Sequence, residues 1–423
     1  MIKKDYKIFS RIFYYPLALL PFLLITGPFL GDLVITLAGV TFFIISIKNK
    51  NYKFFNNFFF IYYISFLIFI SSFYFFYDVK NLYFLIKPLT MVRFLLFAVA
   101  LGYIINYEKS FVNLFFKVVI FCYLILFIDS LIQYFFENNI LNFKISDTGR
   151  VSSFFQDELV MGSYTVRLFP VLIAIIFYKN FLKKNIFILS TLIICSVLIL
   201  LSGERTSLIL FLMYIFLFVI FSINFLKRKI LFLLSIFLIL FSIIFISPNL
   251  KTRFIDNVLF FLKGENSDNK IKIISDEHQG IYHSAYKIFL KNPFIGTGIN
   301  SFKVKCKDVD YKKEKNFFDT FKCSSHPHNI YLQLLSETGI FSFFMILLIF
   351  LYFVMKFSNI FFKKISVENY NLSLYISFIL TLFPLAPTAN MFNNWISIFY
   401  FLPVAFYFGL NKKFYKRNLN NID

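Results

Sequence analysis

The chain has 423 residues, 59% of them hydrophobic and only 15% charged, with a formal charge of +21. Its mean hydropathy of +0.74 excludes an ordinary soluble domain. The positive charge is spread over short segments, which leaves no soluble basic domain to hold a duplex and excludes nucleic acid as a partner.

Apolar runs of about 20 residues, the length that crosses a hydrocarbon core, recur about twelve times. Their centres fall near Leu20, Val40, Leu67, Leu96, Leu126, Leu172, Ile194, Tyr214, Phe237, Leu347, Leu380 and Ala405. The second run is short, and the fourth carries Lys87, Pro88 and Arg93. Basic residues mark alternate ends: Lys3 to Arg11, Lys48 to Lys53, Lys109, Lys179 to Lys184, Lys227 to Lys229, Lys356 to Lys364 and Lys412 to Arg417. Lys and Arg of short loops stay on the cytoplasmic side, where anionic headgroups also attract them, so both termini are expected to be cytoplasmic. Met1 to Tyr15 has basic residues ahead of an apolar run but no small-residue cleavage site, which predicts an uncleaved first helix. The expected fold is all-α and polytopic. Residues 1–247 form an N-terminal bundle, 248–327 a large periplasmic loop with short helices, and 328–423 the C-terminal transmembrane helices.

All four histidines, His278, His283, His326 and His328, lie in or just beyond that loop. From His278 to Leu290 the apolar residues Ile281, Tyr282, Ala285, Ile288 and Phe289 recur near helical spacing, and Asn292-Pro293 ends the pattern, which predicts a surface helix lying on the bundle. Phe294 to Phe302 reads as a tight glycine turn between two apolar anchors; an isolated GxG is too weak a signal for a phosphate loop. Cys122 and Cys195 fall in apolar runs and behave as small hydrophobes. Cys306 and Cys323 fall in the exported loop, facing an oxidising compartment in a bacterium, and are expected to pair. Closing a loop of this length would stabilise by about 3 kcal/mol in the chain-entropy model. The bridge would tether the segment holding Lys312, Lys313 and Lys315.

Ionisable groups in apolar spans are costly and are usually paired or functional. On this topology Arg93, Asp129, Arg150, Arg167 and the Glu204-Arg205 pair gather at the outer membrane face. Several guanidinium groups around one cavity suit a pyrophosphate or a strongly anionic sugar, since each offers planar donors that stay charged. Each also has a bland reading: Arg93 and Asp129 neutralising each other, Arg150 solvated, Arg167 snorkelling, Arg205 paired with Glu204. The His326-Pro327-His328 pair offers general acid/base chemistry near neutral pH, with Asn329 as a helix cap. A zinc site completed by His278, His283 or Glu337 is a poor match, because Pro327 separates the pair and no further spacing resembles a metal motif.

Four segments together resemble the O-antigen ligase and O-antigen polymerase superfamily. They are Gly149-Arg150 to Glu158, Ser202-Gly-Glu-Arg205-Thr-Ser207, Asn292-Pro-Phe-Ile-Gly296-Thr-Gly298-Ile-Asn-Ser-Phe302, and His326-Pro-His328-Asn329-Ile-Tyr331-Leu-Gln333 through Glu337-Thr-Gly339. The motifs span about residues 145 to 345. The resemblance implies a GT-C-like helical bundle in the bacterial inner membrane. It further implies a metal-independent, inverting glycosyltransferase of lipopolysaccharide or polysaccharide biosynthesis that needs no cofactor. The implied donor is a glycan on undecaprenyl pyrophosphate; the acceptor is lipid A-core for a ligase or another lipid-linked repeat for a polymerase. Arg205 and Arg150 match the family's arginines and His328 its histidine, with His326 as understudy. Arg93, Arg167, Asp157 and Glu158 are further candidates for substrate contact.

The competing class is a lipid-linked oligosaccharide flippase or secondary transporter. Such folds more often show repeated halves and charges near the midplane, whereas this chain shows no fixed-period repeat and one large exported loop. A non-catalytic scaffold would leave the convergence of Arg and His unexplained.

Overall fold

The computed structural model describes residues 2–77, 81–181, 184–222, 226–259, 276–308, 322–362 and 368–411. Of the residues invoked above, Lys183, Lys312, Lys313, Lys315, Lys363, Lys364 and Lys412 to Arg417 lie outside these ranges. The N-terminal helices are α1 (Ile2–Ala18), α2 (Leu20–Ile25), α3 (Pro28–Lys48), α4 (Phe58–Ser72), α5 (Tyr83–Thr90), α6 (Val92–Tyr107), α7 (Phe111–Phe136), α8 (Met161–Lys179), α9 (Lys184–Ser202), α10 (Arg205–Ser222) and α11 (Leu226–Ile246). After α12 (Pro248–Lys251) and a π-turn at Thr252–Asp256 come α13 (Asp276–Lys291), α14 (Phe302–Asp308), α15 (Ile330–Phe362), α16 (Asn369–Thr381) and α17 (Asn394–Leu410). No strand occurs among the described residues.

The expected all-α membrane architecture is present. Eight helices among the described residues are long and apolar enough to cross a membrane, or nine if the bent pair Phe232–Phe245 and Pro248–Leu259 forms one span. The eight cover the runs centred on Val40, Leu67, Leu96, Leu126, Leu172, Ile194, Tyr214 and Leu347. The other four runs differ for local reasons. The first is broken between α1 and α2, the Phe237 run bends sharply, and α16 and α17, of 13 and 17 residues, flank a non-helical stretch.

α6 is buried without interruption from Phe94 to Ile105, as expected of a helix that is apolar all round; it packs on α3 and α17, while α8 packs on α9 and α16. The outside is apolar too: Phe29, Phe75, Phe136 and Leu348 are each more than half exposed. A surface of that kind suits lipid and not water.

Backbone that leaves helix at membrane depth must satisfy its polar groups from within the protein. In the 137–160 loop this falls to two fully buried side chains of α7. Asp129 accepts from Ile140 N (3.0 Å), Asn139 Nδ2 (3.2 Å) and Ser153 Oγ (2.5 Å). Gln133 Oε1 accepts from Ser152 N and Ser153 N, and its amide donates to the Phe143 and Lys144 carbonyls. Asp129 therefore does not neutralise Arg93, which instead pairs with Asp32 at 3.0 Å.

The surface helix predicted after His278 is α13. Its Ile281, Ala285 and Ile288 form a small core with Phe302 and Cys306 against Leu332. Cys306 and Cys323 are bonded, Cα to Cα 5.8 Å, and Ser284 Oγ donates to the Lys322 carbonyl beside them (3.0 Å). Of the two expected anchors of the glycine turn, Phe302 is buried and Phe294 is 63% exposed. Phe294 stacks on the equally outward Phe341.

Two measurements test this frame. A cysteine replacing the exposed Lys291 should react with a membrane-impermeant maleimide in intact spheroplasts, with a reporter fused after Asp423 behaving as cytoplasmic; the reverse pattern inverts the topology. Cys323→Ser should lower the thermal midpoint, by an amount consistent with losing about 3 kcal/mol; an unchanged midpoint would show that the bridge adds nothing.

Candidate active site

The most specific sequence element, His326 to Gly339, forms the head of α15 and works largely as a scaffold. Asn329 Oδ1 caps the helix by accepting from Tyr331 N (2.9 Å) and Leu332 N (3.1 Å), and its amide donates to the Pro384 carbonyl (2.7 Å). Gln333 donates to Glu337 Oε2 (3.0 Å) and Asn390 Oδ1 (2.9 Å) and accepts from Met391 N (3.0 Å). The fully buried Glu337 accepts from the backbone N–H groups of Asn300 (3.0 Å) and Phe302 (3.2 Å). Asn390 Nδ2 reaches Asn300 Oδ1 (2.8 Å), and Asn300 Nδ2 reaches Tyr83 Oη (2.6 Å). At Gly339 the helix breaks at φ +79°, and a Cβ there would lie 2.1 Å from the Phe294 carbonyl oxygen. Only glycine meets both demands. The glycine turn is thus pinned onto a helix long enough to cross a membrane.

That scaffold presents the histidines. Thr388 N donates to the His328 carbonyl (2.8 Å), and His328 is held at φ +53°, a left-handed conformation costly for a side chain of this size. The His326 and His328 ring centroids are 4.1 Å apart, and His278 of α13 approaches His328 at 5.7 Å. His326 Nε2 lies 3.3 Å from the Thr388 carbonyl oxygen, which can only accept, so that nitrogen carries the proton and Nδ1 accepts from Ser325 Oγ at 2.9 Å. His328 has no hydrogen-bond partner at its ring among the described residues. Burial, then the charges of His326 and His278, push His328 down to about 4. Burial likewise lowers His278 and His326. His328 is therefore neutral at pH 7, with a ring free to accept a proton.

Both histidines line a cavity of about 870 Å³ shared with Arg150, Arg167, Glu158, Ser163, Glu204, Thr388, Asn390, Asn393 and Trp395. Arg167, on α8, has a buried Nε without a hydrogen-bond partner and lies over the Tyr400 ring at 5.6 Å. Thr388 Oγ1 is a second buried group lacking a partner.

A second focus of charge sits on the Ser202–Arg205 hairpin beside the cavity. Arg150 donates to the Ser202 (2.8 Å) and Leu159 (3.0 Å) carbonyls. Arg205 donates from Nε and Nη2 to the Arg253 carbonyl, and Arg253 Nε to the Gly203 carbonyl. Gly203 holds φ +63°, and a Cβ there would strike Arg150 Cγ at 2.8 Å. Glu204 does not pair with Arg205. Its carboxylate accepts from Gly162 N, Ser163 N, Ser163 Oγ and Ser207 Oγ, at 2.7 to 3.2 Å, which caps the start of α8. Three guanidinium groups therefore meet at one hairpin, and Glu204 beside them is held by the head of α8 and by Ser207.

The predicted site residues divide accordingly. Arg150, Arg167, Glu158, His326 and His328 line the cavity; Arg205 stands at its rim without lining it; Asp157 is exposed; Arg93 lies elsewhere, against Asp32. His283 lies along α13 and does not line the cavity, and Glu337 is bound to the glycine turn. Among the described residues no group of three or more His, Cys, Asp or Glu is placed to hold a metal ion. Sequence reasoning missed Arg253, although on the expected topology Lys251 and Arg253 are basic residues at an outer helix end, against the positive-inside bias. It also missed Thr388, Asn390 and Asn393, signalled by Pro384, Pro387 and a run of asparagines interrupting two apolar segments.

Fold and cavity together define a polytopic helical membrane protein with an arginine- and histidine-lined site at one end of its bundle. Residues 190–366 match the family model for O-antigen ligase, which bears out the resemblance read in the sequence and supports a ligase- or polymerase-type role. The matched stretch carries Arg205, Arg253, His278, His326, His328 and Glu337; Arg93, Arg150 and Arg167 lie before it. No curated protein matches the chain.

The scaffold makes one firm prediction. Gly339→Ala should destabilise the protein by about 2 kcal/mol or more, given the steric overlap and the strained φ, measured as a fall in thermal midpoint in detergent. A midpoint equal to wild type would show that the glycine turn is not pinned there.

Proposed function

We propose that the protein is an inner-membrane glycosyltransferase that moves a glycan from an undecaprenyl-pyrophosphate donor to lipid A-core or to another lipid-linked repeat. The observation that carries this reading is a neutral histidine, its ring without a hydrogen bond among the described residues, lining one cavity with Arg150 and Arg167. His328 takes the proton of the acceptor hydroxyl. The freed oxygen attacks the anomeric carbon from the face opposite the pyrophosphate, forming the new glycosidic bond with inversion. The anomeric carbon–oxygen bond breaks, and its electron pair leaves on the pyrophosphate. Arg150, Arg205 and Arg253 stabilise that developing charge, and Arg167 serves the same anion from the cavity floor. His326 holds its neighbour through ring contact, and Glu158 meets sugar hydroxyls at the mouth. In this reading His328 supplies the base and the arginines the stabilisation of the leaving group.

Glycan transfer from a purified lipid-linked donor in nanodiscs tests the division of labour. His328→Ala should lower the chemical step by roughly 10² to 10⁴ with donor binding retained, His326→Ala should cost less, and Arg205→Lys should still damage turnover, because one ammonium cannot replace the planar fork. EDTA should leave the rate unchanged. Full transfer by His328→Ala removes the histidine from the mechanism; loss in EDTA restored by zinc points to a metal site.

The pH dependence follows from the same group. With His328 lowered to about 4, kcat/KM should be flat through pH 7 and fall only well below the ordinary histidine value, near 6.5. His278→Ala, which removes a repelling neighbour, should move that limb upward. The unfolded chain binds the proton first as pH falls from about 6.5 to about 4, so stability should decline through that window. An acid limb at 6.5 in the wild type would contradict a buried base.

A further inference from the structure

One charged cluster lies outside the cavity and is unused by the chemistry above. Arg93 Nη2 pairs with Asp32 Oδ2 at 3.0 Å; Asn394 Nδ2 donates to the same oxygen at 3.0 Å; Lys87 Nζ donates to Asn394 Oδ1 at 3.2 Å. Among the described residues Arg93 pairs with Asp32 directly and Lys87 reaches the same carboxylate only through Asn394. Arg93 Nε and Asp32 Oδ1 are buried atoms without hydrogen-bond partners, so the cluster is not satisfied by its own members.

Its surroundings are a lipid-facing wall. Phe29 and Leu33 on α3 are 72% and 43% exposed, and Ile86 and Leu89 beside Lys87 are 47% and 43% exposed. A spare positive charge among such residues is costly unless an anion of the membrane joins it. The position is informative as well. Asn394 opens α17, and its neighbours Asn393, Trp395 and Ile396 line the histidine cavity, whereas Asp32, Lys87, Arg93 and Asn394 do not. The cluster and the cavity lie on two sides of one helical turn.

We infer that Lys87, Arg93, Asp32 and Asn394 form a docking site for the phosphate of an outer-leaflet lipid, and that this lipid is the acceptor, held on the flank while its sugar reaches over the first turn of α17 to His328. The assignment of the lipid as acceptor rests on the proposed transfer reaction; the lipid site itself does not. Two anionic lipids meeting at one base need two separate cationic seats, since a single seat would set one against the other. Asp32 limits the net charge, which favours a net-anionic phosphate monoester over a pyrophosphate, and a zwitterionic headgroup brings no net charge to the site.

The test is native mass spectrometry of the full-length protein in detergent, in an Arg150→Ala background that weakens the cavity's own anion site, titrated with diphosphoryl lipid A, phosphatidylcholine or inorganic phosphate. Lipid A should be retained and phosphatidylcholine should not. Lys87→Met, which leaves the Asp32–Arg93 pair in place, should lower lipid A occupancy at least fivefold with an unchanged thermal midpoint. Asp32→Asn should raise occupancy, a gain that misfolding cannot produce. Retention by Lys87→Met equal to the parent would leave the cluster as a tie between helices with Lys87 snorkelling, and overturn the site. Displacement by inorganic phosphate at equal concentration would show a free-anion site and overturn the lipid assignment. A transfer assay on Lys87→Met should then show a raised acceptor KM with donor KM and kcat unchanged. Absence of any transfer by wild type would sink the reaction and leave the binding result standing.

Discussion

Everything at the histidine end of this molecule depends on one carboxylate in the wrong place for a carboxylate. Glu337 sits inside the head of a membrane-length helix, fully buried, and accepts two backbone N–H groups from the glycine turn. Removing either partner would leave a charge or two amides without water or protein to satisfy them, a loss far larger than that of a surface contact. The bond set therefore fixes where the glycine turn meets α15. Through Gln333 and Asn390 it also fixes the non-helical 382–393 segment. Thr388 in that segment holds the backbone of His328 and the ring of His326, so the position of the proposed base is set several bonds away from the base itself.

This arrangement explains why polar residues crowd the mouth of α15. A histidine that must be neutral at pH 7 and yet reach substrate needs partial burial, and burial of a loop requires each backbone group to find a partner. The tautomer of His326, set by a carbonyl on one side and Ser325 on the other, keeps one ring from competing for the proton. The disulfide ties Cys323, three residues before His326, to α14. The only freedom left at the site is the ring of His328 and whatever enters the cavity.

Much of this was legible in the sequence, for identifiable reasons. Apolar run length predicted about twelve spans, and eight of those runs are single helices long enough to cross, because hydrocarbon thickness is a hard constraint; the α1–α2 and α16–α17 runs are broken or short helices, because composition does not report where a helix stops. Periodicity found α13 and compartment logic found the disulfide. Pairing was not legible. Asp129 and Arg93 were natural partners by depth, and Glu204 and Arg205 by adjacency, yet each carboxylate went elsewhere. Asp129 and Glu204 had backbone N–H groups to satisfy where the chain leaves helix, and that demand outweighs a neighbouring charge. Arg253 escaped notice because its neighbours are unremarkable until the π-turn folds its carbonyl over Arg205.

The same rule bears on the arginines. Arg150, Arg205 and Arg253 bind backbone carbonyls of one another's hairpin, and a carbonyl orients a guanidinium without neutralising it. Carbonyl dipoles hold a cation; they do not cancel its field. Had carboxylates done the orienting, the cluster would be neutral and an incoming pyrophosphate would have to displace an ion pair before it was stabilised. Orientation by backbone leaves the field intact and the donors preorganised, so charge developing on a leaving group meets cations that need not rearrange. The cost is mutual repulsion, and the carboxylate of Glu204, which lines the cavity while hydrogen-bonded to the head of α8, limits that cost.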